Sequence, residues 1–158
     1  MKIAQYKVML DDNHHNALVK EREIEYSQES LTFASPDKIV DMMNKVFQLN
    51  EMAEEYGYML AFNTKMKPIA VFEVSHGASN YTILNPREIY IRALLCGASC
   101  IILFHNHPSG DISKSDVDLQ TTKAIKKAGT LIGIPLMDHI IVGGDNFYSF
   151  RKGELAWE

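Results

Sequence analysis

The chain has 158 residues, 46% hydrophobic and 23% charged, with a formal net charge of -4. That length and balance fit one globular domain able to close its own core, and exclude a disordered or fibrous chain. The negative charge argues against a protein built chiefly to grip nucleic-acid phosphates, and no run approaches the roughly 18 apolar residues that span a bilayer.

The start, Met1 to Asp12, lacks the charged-then-apolar layout of a secretory signal, and the two cysteines, Cys96 and Cys100, allow at most one disulfide. Free thiols in a cytoplasmic protein are the expectation. Residues 1–34 read as an N-terminal extension of the same domain. Their short apolar patches at Tyr6, Val8 and Leu10 predict one or two edge strands, and the adjacent His14 and His15 diverge on a strand and read as solvated.

From Ser35 the signals sharpen. Ser35 as N-cap, Pro36 at the first helical position and Asp37 in the first turn predict a helix to about Asn50, with Ile39, Val40, Met43, Val46 and Phe47 on one face. Glu51, Glu54 and Glu55 read as solvated acids. Two strands follow, Tyr58 to Phe62 and Ile69 to Val74, joined by a polar hairpin connection. Asn85, Pro86 and Glu88 form a helix start with a capping box, and Gly97 stops that helix. Its apolar residues Ile89, Ile91, Ala93, Leu94 and Leu95 lie nearly all round, which predicts a central, buried helix.

Cys100 to Phe104 reads as a strand buried on both faces that runs into His105-Asn106-His107-Pro108-Ser109-Gly110. A helix beginning at Ser113 or Ser115 should end before Gly129 and bury Val117, Ala124, Ile125 and Ala128. Strands Leu136 to Val142 and Phe147 to Phe150 close the chain as a hairpin across Gly143-Gly144-Asp145-Asn146. The expected fold class is α/β, a single domain with a mixed central sheet flanked by helices.

His105 and His107 are two apart, so on a strand both imidazoles point the same way. Ser115 and Asp118 stand one turn apart at a helix start, where the intervening turn can bring them over the histidines. Two imidazoles and one carboxylate give three ligands, the open count of a catalytic zinc site, so one Zn2+ per chain and a metal-activated water are expected. Asp111 and Asp116 are alternatives to Asp118, and both read equally well as turn and helix-start residues. For the proton-transferring carboxylate the candidate is Glu73, in an otherwise apolar strand; the competing reading pairs it with a surface cation.

The run His105-Asn106-His107-Pro108-Ser109-Gly110 followed by Ser115 and Asp118 resembles the metal motif of the JAB/MPN (JAMM) metallopeptidase superfamily, in its RadC-like branch. Pro86-Arg87-Glu88, the stretch Ala93 to Leu103, and Leu136 to Gly143 agree with it. The resemblance covers about Ser35 to Phe150, so residues 35–158 read as the RadC-like JAB/MPN domain. It implies a cytidine-deaminase-like architecture, zinc on His105, His107 and Asp118, and Ser115 helping to polarise the substrate carbonyl. It also implies a glutamate on an earlier strand for the zinc water, a strand that Glu73 occupies; His139 belongs to the family's pattern and reads equally as a cleft residue or a satisfied core histidine, and Arg87 is a further candidate for the cleft. Nothing in Met1 to Ser35 resembles the helix-hairpin-helix segment of longer RadC-type proteins.

Three functions compete. The foremost is a zinc metallopeptidase or isopeptidase acting on a peptide or protein, without membrane attachment. A DNA-associated accessory protein would need a basic face from Lys114, Lys123, Lys126 and Lys127, and with a net negative charge DNA binding should be weak or absent. A non-catalytic scaffold would have lost ligand residues, which this chain keeps. Oligomeric state and substrate identity leave no mark in the sequence.

Overall fold

The computed structural model describes residues 1–27, 35–77, 84–153 and 157. The junction expected between the extension and the domain, residues 28–34, falls outside the described residues.

The chain opens with a long antiparallel hairpin, β1 (Lys2–Leu10) and β2 (Asn16–Glu25), turned on Asp11, whose Oδ1 accepts from the amides of Asn13 and His15. Helix α1 (Pro36–Phe47) starts at Ser35 and Pro36 as expected, although the Ser35 hydroxyl makes no capping bond. Its end comes earlier than Asn50, because Gln48 turns left-handed and Leu49–Glu51 form a separate 3-10 turn. Then follow β3 (Tyr56–Phe62), β4 (Pro68–His76), α2 (Pro86–Leu95), β5 (Cys100–Asn106), α3 (Asp116–Ile132), β6 (Leu136–Gly143), β7 (Asn146–Ser149) and the short α4 (Phe150–Gly153).

Among the described residues the seven strands make one mixed sheet in the order β2-β1-β4-β3-β5-β6-β7. β1 runs parallel to β4 and β5 parallel to β6; the other neighbours are antiparallel. Only β2 of the first hairpin is therefore an edge. β1 is interior and contributes the buried Ile3 and Gln5.

The pleat of β5, buried on both faces, divides the core in two. Ile102 and Phe104 face the α1 side with Ile39, Met43 and Phe47, whereas Ile101 and Leu103 face the side covered by α2 and α3 with Ile89, Ala93 and Ile125. Each such buried aliphatic or aromatic side chain contributes about 1.5–3 kcal/mol.

Four expectations about α2 and α3 are corrected. α2 is one-sided: Ile89, Tyr90 and Ala93 are buried, while Leu94 is 59% exposed. Its Asn85 cap accepts from the Arg87 amide, but Glu88 turns to Arg87 and Arg92 instead of completing a capping box. α3 runs through Gly129 to Ile132, and the left-handed residue that caps it is Gly133. Its inner face is Thr122, Ile125 and Gly129, with Val117 and Ala124 exposed. Gly129 serves close packing, since a Cβ there would stand 2.3 Å from the Tyr90 hydroxyl and 2.6 Å from the Ile134 carbonyl.

Replacing Gly129 by Ala tests that packing against helix propensity. Propensity alone would stabilise α3 by roughly 0.5–1 kcal/mol. The close approach instead predicts a loss of about 1–3 kcal/mol, the usual cost of overpacking, read as a lower urea midpoint.

Candidate metal centre

The parallel pair β5 and β6 is joined through α3, so the amino end of α3 returns to the carboxyl ends of both strands. In open α/β sheets that edge is where ligands bind.

His105 lies in the last turn of the β5 pleat and His107 just beyond it, both on the α2/α3 face. The His107 amide donates to the Val142 carbonyl, and the Gly110 amide to the His107 carbonyl. This tight turn packs against the end of β6 at Gly143, where a Cβ would stand 2.7 Å from the Gly110 carbonyl oxygen. Asp118 arrives from α3 through a reciprocal capping box: the Ser115 amide donates to Asp118 Oδ2 at 2.8 Å, and the Asp118 amide to Ser115 Oγ at 3.0 Å.

The three side chains converge. His105 Nε2 is 3.0 Å from His107 Nε2 and 3.3 Å from Asp118 Oδ1, and His107 Nε2 is 3.7 Å from Asp118 Oδ2. One ligand atom from each lies within 4.8 Å of the others, and among the described residues no other such group of three or more His, Cys, Asp or Glu occurs. His107 Nδ1 is 2.7 Å from the Asp111 carbonyl, which can only accept, so the ring hydrogen sits on Nδ1 and Nε2 turns a lone pair inward. Burial works to raise the Asp118 carboxyl, but the hydrogen bond and charge of His105, with those from Ser115, outweigh it and hold the group well below the usual carboxylate range. An ionised carboxylate and an inward lone pair are donors suited to a cation. Asp111 supplies its carbonyl and Asp116 lies in the first turn of α3; neither carboxylate belongs to the group.

A second layer backs the first. His139 of β6 is fully buried, with Nε2 at 2.8 Å from His105 Nδ1 and its ring stacked on Phe150 at 5.0 Å. Burial pushes it well below the ordinary histidine range. His139 thus supports a ligand from behind and does not line an open cleft. The neighbouring Asp138 accepts from the amides of His139 and Arg151 and from the Ser149 hydroxyl, tying α4 and Phe150 to that ring. Arg87 is exposed at the start of α2, in a surface depression with Val8, Leu10 and Asn16, and bonds Glu88.

Glu73 is not brought to the triad. It pairs across β4 and β3 with Tyr58, which faces the α1 side of the sheet, and it is exposed there. A different glutamate stands near the histidines. β3 and β5 pair with Gly57 opposite His105, and that register carried two residues on sets Glu55 opposite His107, with the pleat parity of Gly57. The Gly77 amide still donates to the Glu55 carbonyl, so the backbone stays in line with β4. Glu55 is only 7% exposed, and among the described residues its carboxylate has no hydrogen-bond donor or cation beside it. Asn106, between the two histidines, holds this segment from the other face: its Oδ1 accepts from the Tyr56 amide at 2.7 Å and its Nδ2 donates to the Glu54 carbonyl at 3.0 Å. Reading Glu55 as a solvated acid is therefore corrected. The only sequence signal for it was its place just before a strand.

A family profile described as RadC-like JAB domain matches residues 33–155. The chain belongs to that family. UPF0758 proteins of Alkaliphilus metalliredigens and Clostridium acetobutylicum are each 39% identical to it, over 121 residues (77% of this chain, 51% of theirs) and 129 residues (82% and 56%). The UPF0758 protein of Chlorobaculum parvum is 40% identical over 108 residues, 68% of this chain and 49% of its own. The chain spans about half the length of these curated RadC-like relatives. No helix among the described residues is long and apolar enough to cross a membrane.

The purified protein should hold about one divalent ion per chain, measured by elemental mass spectrometry, and His105→Ala or Asp118→Ala should each abolish it. Full occupancy in both variants would place the ligands elsewhere.

Proposed function

We propose that this chain is a zinc-dependent hydrolase of peptide or isopeptide bonds. The observation that carries the reading is a three-donor group with one closed side and one open side: the His105 side chain is 2% exposed, whereas those of His107 and Asp118 are 15% and 18%. Three nitrogen and oxygen donors suit zinc with a fourth position left for water, while a structural site would close with a fourth protein ligand. His105, His107 and Asp118 would hold the zinc, which would supply a Lewis acid able to lower the pKa of a water to about 7.

The remaining work falls to side chains of this protein. Glu55, a largely buried residue whose carboxylate bonds no other described residue, accepts the proton of the attacking water and returns it to the leaving amine. Ser115 Oγ accepts from the Asp118 amide, which leaves its hydroxyl hydrogen to donate to the carbonyl oxygen of the scissile bond. Asn106 holds Glu55 in register with the histidines.

The substrate in this reading is a peptide or protein met in the cytoplasm. Duplex DNA binds weakly and only at low salt, because the net charge is -4 and, of the four lysines in question, Lys114 lies over the Tyr148 and Phe150 rings and Lys126 over Trp157.

Glu55→Gln keeps the shape of the side chain but cannot take a proton, so hydrolysis in a peptide-library assay should fall by about 10²- to 10⁴-fold with zinc content unchanged. Glu73→Gln should leave both unaltered. A wild type that carries zinc yet cleaves nothing in the library overturns the hydrolase reading.

A further inference from the structure

Between the first hairpin and α2 lies a surface depression of about 260 Å3. Its apolar part is Val8, Leu10 and Ile91, and Leu10 is 60% exposed there. Its charged part is Arg87, Glu88 and Arg92, so one carboxylate stands between two guanidinium groups. Glu88 Oε1 takes Nη1 of Arg87 at 2.7 Å, and Glu88 Oε2 is 3.5 Å from Nη1 of Arg92, which also donates to the Glu88 carbonyl at 2.9 Å. These bonds use one nitrogen of each arginine, whereas a guanidinium carries five N–H donors. The Arg92 side chain is only 16% exposed, and its buried Nε–H has no acceptor among the described residues. The depression is therefore positive, short of acceptors and apolar along one side. A carboxylate on a short aliphatic stem matches all three properties, because its two oxygens fit the planar fork of a guanidinium.

The sheet fixes where this depression lies relative to the triad. Gln5, Val71, Leu60 and Ile102 stand side by side across β1, β4, β3 and β5. β1 and β5 run in the same direction, since β4 is parallel to β1 and both β4 and β5 are antiparallel to β3. Counted onward from Gln5 and Ile102, Val8 is level with His105 and Leu10 with His107, and the pleat turns all four to the α2/α3 face. Three strand spacings of about 4.8 Å put the depression about 14 Å from the histidines, a distance that about four residues of extended chain cover.

We infer that the depression is a substrate subsite for the side chain of a glutamate about four residues from the bond cleaved. The inference rests on the hydrolase reading of the triad and names the class of peptide that the site selects. The glutamate stem lies along Val8, Leu10 and Ile91, and its carboxylate faces the guanidinium groups of Arg87 and Arg92. Glutamine has the stem without the charge, and phosphate has the charge without the stem.

The test has a binding arm and a cleavage arm. N-acetylglutamate titrated into the full chain, followed by proton–nitrogen NMR, should shift the amide signals of Leu10 and Ile91 and the Arg92 Nε–H, and N-acetylglutamine should not. Arg92→Gln should abolish the amide shifts. Leu10→Glu should abolish them too, and it sets a carboxylate in the mouth of the depression at an exposed position, where folding is not at stake. In a peptide library incubated with the zinc-loaded chain, glutamate should be favoured over glutamine about 10-fold at about four residues from the cut, the usual scale of a hydrogen bond to a charged group. Leu10→Glu should remove that preference. Equal shifts with N-acetylglutamine, or with inorganic phosphate at the same ionic strength, overturn the inference. Cleavage with no acidic preference at that distance overturns it as well and leaves the hydrolase reading standing. A zinc-loaded chain that cleaves nothing brings down the hydrolase reading, while the titration still decides whether the depression takes a glutamate side chain.

Discussion

The pleat at the carboxyl end of β5 is the constraint on which the rest of the site depends. Successive side chains of a strand point to opposite faces, so His105 and His107 go to one side and Asn106 to the other. The two histidines meet Asp118 over the α3 face. Asn106, on the α1 side, takes hold of the chain leading into β3 by its backbone, with Glu55 between the two residues it bonds. Three consecutive residues thus turn two ligands to one face and, from the other, hold by its backbone the segment that carries Glu55. A shift of β5 by one residue would exchange the two roles and destroy both.

Asp118 shows how one residue serves folding and chemistry together. It is the third helical residue of α3, where its carboxylate accepts from the Ser115 amide and benefits from the positive end of the helix dipole. The hydrogen bond and charge of His105, with the bonds from Ser115, hold the group ionised against burial, and its other oxygen faces His105. A ligand whose orientation is fixed by a capping box needs no further ordering when a cation arrives, and the cost of gathering three donors is met during folding. His107 is fixed in a comparable way by the Asp111 carbonyl, and its turn can lie against β6 because Gly143 has no side chain to obstruct it.

Much of this was legible in the sequence because it depends on local rules. Two-residue spacing on a strand, Pro after Ser or Asn, and a serine three residues before an aspartate each announce their geometry within a few positions. The triad, the starts of α1, α2 and α3, and the double-faced burial of β5 follow from such rules. The glutamate does not. Glu73 lies in a convincingly apolar strand, but which face it takes depends on pairing with Tyr58, and the strand register shifts between Gly57 and Tyr58. Glu55 sits among Glu51 and Glu54, a run that composition alone reads as solvent-facing. Its burial follows from Asn106 and from the pairing of β3 with β5, contacts about fifty residues apart in sequence. The inner face of α3 went astray for the same kind of reason. Thr122 is buried by its bonds to Asp118 and His139, which no hydrophobic count registers, while Val117 is left in solvent beside the ligand turn.

The buried polar residues therefore form a layer of their own between the hydrocarbon core and the open side of the site. Asp138 ties down α4, α4 places Phe150 on the His139 ring, His139 backs His105, and Thr122 connects that ring to the helix that carries Asp118. Each of these groups spends its hydrogen-bonding capacity on the next, which is what makes a buried polar network tolerable.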